Sequence, residues 1–304
     1  MRRVPPGTEP IRRYLINVPL HITGIWKICW GRDEYETGSI GAGIVIEPGV
    51  RAVVEIYDEN PPKDPIRKTI LNGKEIKLRN IEILNRLVSH RKSIIVNCTT
   101  PAPLGAGYGV SAALCIIYSL AINECTDIKR AVENAHLAEV KSLLGLGDVI
   151  AETYGGELEI RLRPGSPGTT GRIIKICYRK TYNILTTELR KKLYTDEMLR
   201  ERYSDIVRNS DNLLRKIIEE PSLENFLYCS YMFSKLVRFI DDRIENMLQR
   251  VRKMILGYYA KKRVLVIVPE KNYLDEVYEH VRSIFRICRM FRLTREGLHV
   301  SALS

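Results

Sequence analysis

"PLGAGYGVSAA" at residues 103–113 leads without a break into "AALCIIYSLAIN" at 112–123, so three alternating glycines stand against the start of an apolar helix. Glycine adopts positive φ and has no Cβ, so such a run lets the main chain curl and approach a ligand closely. A helix that follows aims its free N–H groups and the positive end of its dipole at whatever the loop holds. Phosphate suits that position. Ser111 falls in or beside the first turn, where its hydroxyl reaches a phosphate oxygen or a phosphate-bound Mg²⁺. The stretch is not a P-loop, because it has no Lys-Ser/Thr pair. It also fails GxGxxG, since Val110, Ser111 and Ala112 follow Gly109. For the loop alone, phosphate binding stands only slightly ahead of a turn that packs a helix closely on a sheet.

A second stretch, "NAHLAEVKSLLGLGDVIAETYGG" at 134–156, adds weight. His136 and Glu139 are three apart in a helical pattern and share a face. Asp148 follows the turn "GLG" at the start of a further short helix. A serine, a glutamate and an aspartate near helix ends fit a Mg-nucleotide site, because Mg²⁺ takes a few protein oxygens plus phosphate and water. Phosphoryl transfer also needs a carboxylate to orient or deprotonate the acceptor hydroxyl. Singly, each has a plainer role: Glu139 a solvated helix charge, Asp148 an N-cap, His136 a satisfied helix histidine.

Around these stretches the chain reads as α+β. "IGAGIVIEPG", "RAVVEIYD" and "KSIIVNC" are β-branched runs bounded by Gly, Pro or Asn, and so strands. "IKRAVENAHLAEV" is helical, and "GGELEIRLRPGSPG" alternates as a strand with Leu158, Ile160 and Leu162 on one face. Residues 186–256 carry helical spacing, then "RVLVIVP", "LDEVYEHVRSIFRIC" and "GLHVSAL" give strand, helix and strand. The expected division is two lobes, 1–180 and 181–304, joined near "PGSPGTTGR".

Composition bounds the partners. The formal charge of +12 suits nucleic acid, a membrane surface or a polyanionic ligand such as a nucleotide. The basic residues are scattered, as in "RKKLYTDEMLRERYSD", so a solvated helix face is expected there and nucleic acid is not. The seven cysteines have no CxxC spacing and read as reduced core thiols of a cytoplasmic protein. The first residues, "MRRVPPGTEPIRRYLIN", hold no apolar stretch of signal-peptide length, and no apolar run is long enough to span a bilayer.

These residues resemble a known superfamily. "PLGAGYGVSAA" is similar to the phosphate loop of the GHMP kinases, with Pro103, Gly107, Gly109, Ser111, Ala112 and Ala113 in its positions. "GLGDVIAETYGG" is similar to the stretch that carries the catalytic aspartate of the mevalonate kinase branch, with Asp148 at that place. The joint pattern of "VPLHITGIW", "TGSIGAGIVI", "AHLAEV" with "GLGD", and "GGELEIRLRPGSPG" resembles the archaeal pantoate kinases of coenzyme A biosynthesis, over roughly residues 15–170.

The resemblance implies a two-lobed GHMP kinase fold, with a ribosomal protein S5 domain 2-like N-terminal lobe and an α/β C-terminal lobe. It implies ATP and Mg²⁺, and phosphorylation of the 4-hydroxyl of pantoate. ATP would lie along Pro103, Gly105, Ala106, Gly107, Tyr108, Gly109, Val110, Ser111 and Ala112. Ser111 and Glu139 would bind Mg²⁺, and Asp148 would act as base or orient the hydroxyl. His21 takes the place of a lysine that several members hold near the reacting phosphate. Ser39, His136 and Arg161 are the candidates for the pantoate pocket, Arg161 for the carboxylate. Arg163, two residues on, shares the strand face and stands as its alternative. Val110 replaces the first serine of the usual Ser-Ser pair. The glycine-rich third motif is reduced in "MILGYYAKKRVLVIVP" to Gly257, so no site residue is assigned there. A kinase of another hydroxy acid or polyol, or a non-catalytic nucleotide- or nucleic-acid-binding relative, is the alternative. A homodimer through a free sheet edge is compatible with such lobes.

Overall fold

The computed structural model describes residues 9–58, 65–89, 91–189 and 210–303. Two long strands organise it, β1 (Arg12–Cys29) and β2 (Gly38–Tyr57), paired antiparallel along almost their whole length. Alternation is lost where both faces are covered, with every residue from Leu20 to Trp26 and all but Ile40 from Gly38 to Ile46 buried. It returns in the second half of β2, where Ala52, Val54 and Ile56 are buried between more exposed neighbours. The register slips at Val18/Leu20 and Thr23/Ile25, next to Pro19 and Gly24. Proline has no N–H for the ladder and is tolerated at such an irregularity. Gly24 is required for a different reason: a Cβ there would lie 2.1 Å from Ser230 Oγ.

β2 then gathers the rest of the sheet. Its second half pairs with β5 (Ser93–Thr99), and its first half with β6 (Leu158–Arg163) and β11 (Arg289–Leu293). β3 (Arg67–Leu71) and β4 (Lys74–Ile76) extend the β5 side. β8 (Asn183–Glu188), β10 (Val264–Pro269) and β9 (Ile255–Lys261) extend the β11 side. β7 (Arg172–Ile176) lies outside β6, and β12 (His299–Leu303) returns to pair with β1. The sheet therefore runs unbroken between strands of residues 1–180 and strands of 181–304.

α1 (Arg79–Leu87), α2 (Val110–Ile122), α3 (Ile128–Ser142) and α4 (Asp148–Tyr154) cover the β5 half. α2 is the central element: every residue except Ser111 is buried. On the other half, after a helical stretch at 210–219 (α5), α6 (Leu223–Leu236) lies on β1 and β9. Its Phe233 meets Trp26 edge-on at 4.8 Å and its Phe226 meets Tyr259 at 5.5 Å. α7 (Asp242–Leu248) and α8 (Leu274–Ile284) complete that layer.

The α+β class and the quoted strands and helices are found, with four corrections. Residues 186–188, read as helical, belong to β8; residues 190–209, including the whole basic run, lie outside the described residues, as do 1–8. Leu162 does not share the buried face of Leu158 and Ile160: it is exposed, because β6 pairs on both sides and is covered on both faces only through Arg161. Arg163 does not share Arg161's environment either; a bulge between them leaves Arg163 exposed. Of the seven free thiols only Cys98, Cys115 and Cys229 are fully buried, while Cys177, just past edge strand β7, is exposed. No helix among the described residues is long and apolar enough to cross a membrane.

Candidate active site

The glycine stretch forms a loop whose Gly105, Gly107 and Gly109 all have positive φ, of 79°, 118° and 80°. Gly109 caps α2 without any side chain bonding to the helix end. The N–H groups of Ala112 and Ala113 are taken by the Gly109 carbonyl, at 2.8 and 3.1 Å. Val110 and Ser111 line a cavity of ≈ 240 Å³, so the first turn of a buried helix opens onto it. Tyr108 anchors the loop from below: its hydroxyl donates to Thr186 Oγ1 at 2.9 Å on β8, and its carbonyl accepts from the His21 N–H at 3.1 Å. Gly107 lets the β9–β10 hairpin close over the loop, since a Cβ there would lie 2.9 Å from the Lys261 carbonyl.

Glu139 comes up from α3 on the other wall. Its Oε1 accepts from Ser111 Oγ at 3.2 Å and from Asn80 Nδ2 of α1. Gly145 of the following turn keeps this carboxylate open to the cavity, because a Cβ there would lie 2.6 Å from Oε2. Burial pushes its carboxyl up to about 7, aided by the nearby charge of Asp148 and opposed by the Asn80 and Ser111 hydrogen bonds. A serine hydroxyl and a buried carboxylate in contact are the hard oxygen donors that Mg²⁺ prefers, so these residues fit the ion.

Because the fold raises Glu139 above its ordinary 4.5, the unfolded chain loses that proton first. Ionisation therefore weakens the ligand-free fold progressively as pH rises from the ordinary carboxyl range to about 7. Glu139→Gln keeps an oxygen for Asn80 and Ser111 and removes the charge. Calorimetry of the ligand-free variant should show it more stable than wild type at pH 8 by on the order of 2 kcal/mol, with the gap closing toward pH 5.

Asp148 opens α4 behind Gly147. Its Oδ1 lies 2.8 Å from His21 Nδ1, and the other ring nitrogen of His21 lies 2.8 Å from Glu159 Oε1. Burial would lower His21, yet Glu159 and Asp148 outweigh it and raise the imidazole above 6.5. Burial likewise works against Asp148, but the His21 hydrogen bond and charge hold that carboxyl well below the usual range. His21 and Glu159 are completely buried, whereas the Asp148 side chain is 28% exposed and faces the cavity.

Arg161 lies beneath the same wall at 1% exposure. Its Nη1 donates to Glu159, while Nε and Nη2 are buried without a hydrogen-bond partner. A Cβ on Gly147 would lie 2.7 Å from Nε and 2.4 Å from Ser39 Oγ, so the missing side chain leaves the space between them. Such orphaned donors are costly unless something accepts from them.

The predicted residues divide accordingly. Ser39, Gly105, Gly107, Tyr108, Gly109, Val110, Ser111, Glu139 and Asp148 line the cavity; His21 and Arg161 stand directly behind it; Pro103, Ala106 and Ala112 do not line it. His136 is turned elsewhere: its Nε2 is hydrogen-bonded to the carbonyls of Glu34 and Thr37 at 3.1 and 3.0 Å. Lys261 and Lys262, which sequence reasoning left unassigned, also line the cavity. Lys261 Nζ sits 3.6 Å over the Trp26 ring, and burial beside Lys262 pulls its ammonium down to about 7. Only their place after the shortened glycine motif pointed to them.

Known proteins resemble this chain in sequence and in fold. Residues 76–156 match the GHMP kinases N terminal domain. A pantoate kinase of Methanocaldococcus jannaschii is 30% identical over 234 residues, covering 74% of this chain and 81% of its own. A pantoate kinase of Thermococcus kodakarensis is 26% identical over 78% of this chain and 80% of its own. Among solved structures, a phosphotransferase related to the CoA biosynthesis pathway superposes with TM-score 0.83 at 21% identity, over 95% of this chain and 98% of that one. Mevalonate diphosphate decarboxylase from Staphylococcus aureus superposes with TM-score 0.70 at 11% identity, over 95% and 98%. Those two likenesses are of fold.

Proposed function

Because the chain belongs to the GHMP kinases, in the pantoate kinase family, we propose that it transfers the γ-phosphoryl group of ATP to the 4-hydroxyl of pantoate. The observation that supports this most is the pair of orphaned Arg161 donors beside Ser39 Oγ and Gly147, a short reach from Asp148. A planar fork with two free N–H groups is matched to a carboxylate, and pantoate carries one. The acceptor hydroxyl at the far end of that short acid then meets Asp148, and its dimethyl centre meets the apolar side of the cavity at Trp26 and Ile28.

ATP lays its phosphates along Gly105–Ser111, against the first turn of α2 where it opens onto the cavity at Val110 and Ser111, with Lys261 and Lys262 opposite. Ser111 and Glu139 hold Mg²⁺, which neutralises phosphate charge when bound. Phosphoryl transfer passes through a loose transition state, so positioning and charge matter more than strong base catalysis. An Asp148 kept ionised by His21 suits that: it accepts the hydroxyl hydrogen bond, aligns the oxygen, and takes the proton as the new P–O bond forms and ADP departs with the electron pair of the broken bond.

The direct test offers purified protein ATP and Mg²⁺ with pantoate, mevalonate, homoserine or shikimate in turn, following ADP release and the phosphorylated product by ³¹P NMR. Pantoate-dependent ADP release with a 4-phosphate product is expected. Release with another acceptor alone would assign the substrate elsewhere. Gly147→Ala places a methyl group between Ser39 and Arg161. It should raise KM for pantoate by about tenfold or more while KM for ATP stays within about twofold.

A further inference from the structure

Beneath the cavity wall lies a string of four charged groups that alternate in sign: Asp148, His21, Glu159 and Arg161. Both ring nitrogens of His21 face a carboxylate oxygen at 2.8 Å. A carboxylate only accepts, so both contacts are hydrogen bonds only when both nitrogens carry a proton. Glu159 Oε1 accepts from two sides at once, from His21 Nε2 and from Arg161 Nη1, and Nη1 itself lies 3.4 Å from Nε2. His21 and Glu159 are wholly buried and Arg161 nearly so.

β6 supplies this arrangement by being covered on both faces as far as Arg161. Glu159 and Arg161 are two apart on one strand, so their side chains emerge on the same face, and β2 opposite carries Gly41 and Gly43. A Cβ at Gly43 would lie 2.3 Å from His21 Nε2, and one at Gly41 would lie 2.8 Å from Arg161 Nη2. Two glycines on the neighbouring strand thus make the room in which imidazole and guanidinium converge on Glu159.

We propose that Glu159 is the positioning residue of the site: with one oxygen it holds His21 as a doubly protonated donor to Asp148 and fixes the Arg161 fork with Nε and Nη2 toward the substrate. This rests on the function proposed above and deepens it. Glu159 touches neither substrate nor nucleotide; it links the group that would bind the acid end of the acceptor to the group that orients its hydroxyl. Among the described residues, Glu152 of α4, whose two oxygens have no hydrogen-bond partner, lies with the His21 main chain beside Gly109, and Tyr259 of β9 lies near Glu159. Arg161 Nη1, 3.4 Å from Nε2, disfavours a charged imidazole, which makes the Glu159 carboxylate the more necessary.

Glu159→Gln tests this. The amide keeps the shape, but it removes the anion that holds the imidazole charged. Wild-type kcat should hold to high pH until His21 deprotonates. In the variant that alkaline limb should move down by at least about one pH unit, so kcat falls by about tenfold on that limb at pH 8 and recovers toward pH 6. KM for pantoate should rise with it, while KM for ATP stays unchanged. A loss of equal size at every pH, or a wild-type profile, overturns the proposal. A second measurement needs no variant: ¹⁵N NMR of histidine-labelled wild type at pH 8 should show one buried ring with both nitrogens protonated, and only neutral rings would overturn the proposal. That spectrum is also independent of substrate. Wild type that releases no ADP with pantoate would sink the proposed function, while the ring's protonation still decides the role of Glu159.

Discussion

Asp148→Asn is expected to fold, bind ATP with near-wild-type affinity and lose about three orders of magnitude in kcat. The side chain starts α4 at the cavity wall and is partly exposed, so the isosteric amide removes no core contact. What it removes is charge. His21 Nδ1 donates to Asp148 Oδ1, and an amide can still accept there only by turning its NH₂ toward the substrate hydroxyl. The hydroxyl then faces a donor where it needs an acceptor, and the nucleophile is misaligned for in-line attack. The proton also loses its destination. Since the ionised carboxyl is held far below the neutral range, the wild-type rate should show no acid limb from Asp148 between pH 6 and 8. Rapid-mix single-turnover kinetics, with a thermal melt as control, would check both parts.

Arg161→Lys carries the second large expectation: kcat/KM for pantoate falls by about two to three orders of magnitude while nucleotide binding is unaltered. Lysine keeps a positive charge for Glu159, so the buried carboxylate is not stranded, a loss that would be strongly destabilising by itself. It cannot reproduce the planar pair of Nε and Nη2 beside Ser39. Arg163→Lys should be silent, because the bulge after Arg161 turns that side chain to solvent. Steady-state kinetics on the two variants decide which arginine meets the acid, a choice the two-residue spacing left open.

How far the site was legible depends on the range of the interaction. The glycine loop was readable because its requirement is local: Gly105, Gly107 and Gly109 adopt backbone angles that other residues disfavour, and Ser111 is the one residue of α2 left unburied. Glu139 and Asp148 were readable from helix spacing and the intervening glycine turn. His136 shared that spacing, yet a face of α3 is broad enough to serve two purposes, and the histidine secures the 34–37 turn instead. Glu159 could not be read, because its partners lie on a strand more than a hundred residues away and on its own bulged strand. Lys261 and Lys262 were obscured for a similar reason: a hairpin from the far end of the chain delivers them to the loop. The long strands hid their period, since β1 is buried on both faces and broken by Pro19 and Gly24.

The most direct measurement is a crystal structure with pantoate and a non-hydrolysable ATP analogue bound together. The phosphates should lie against Gly105–Ser111, the acid group on Arg161 Nε and Nη2, and the 4-hydroxyl within hydrogen-bond distance of Asp148. An analogue bound away from that loop, or a pantoate whose hydroxyl points away from Asp148, would contradict it.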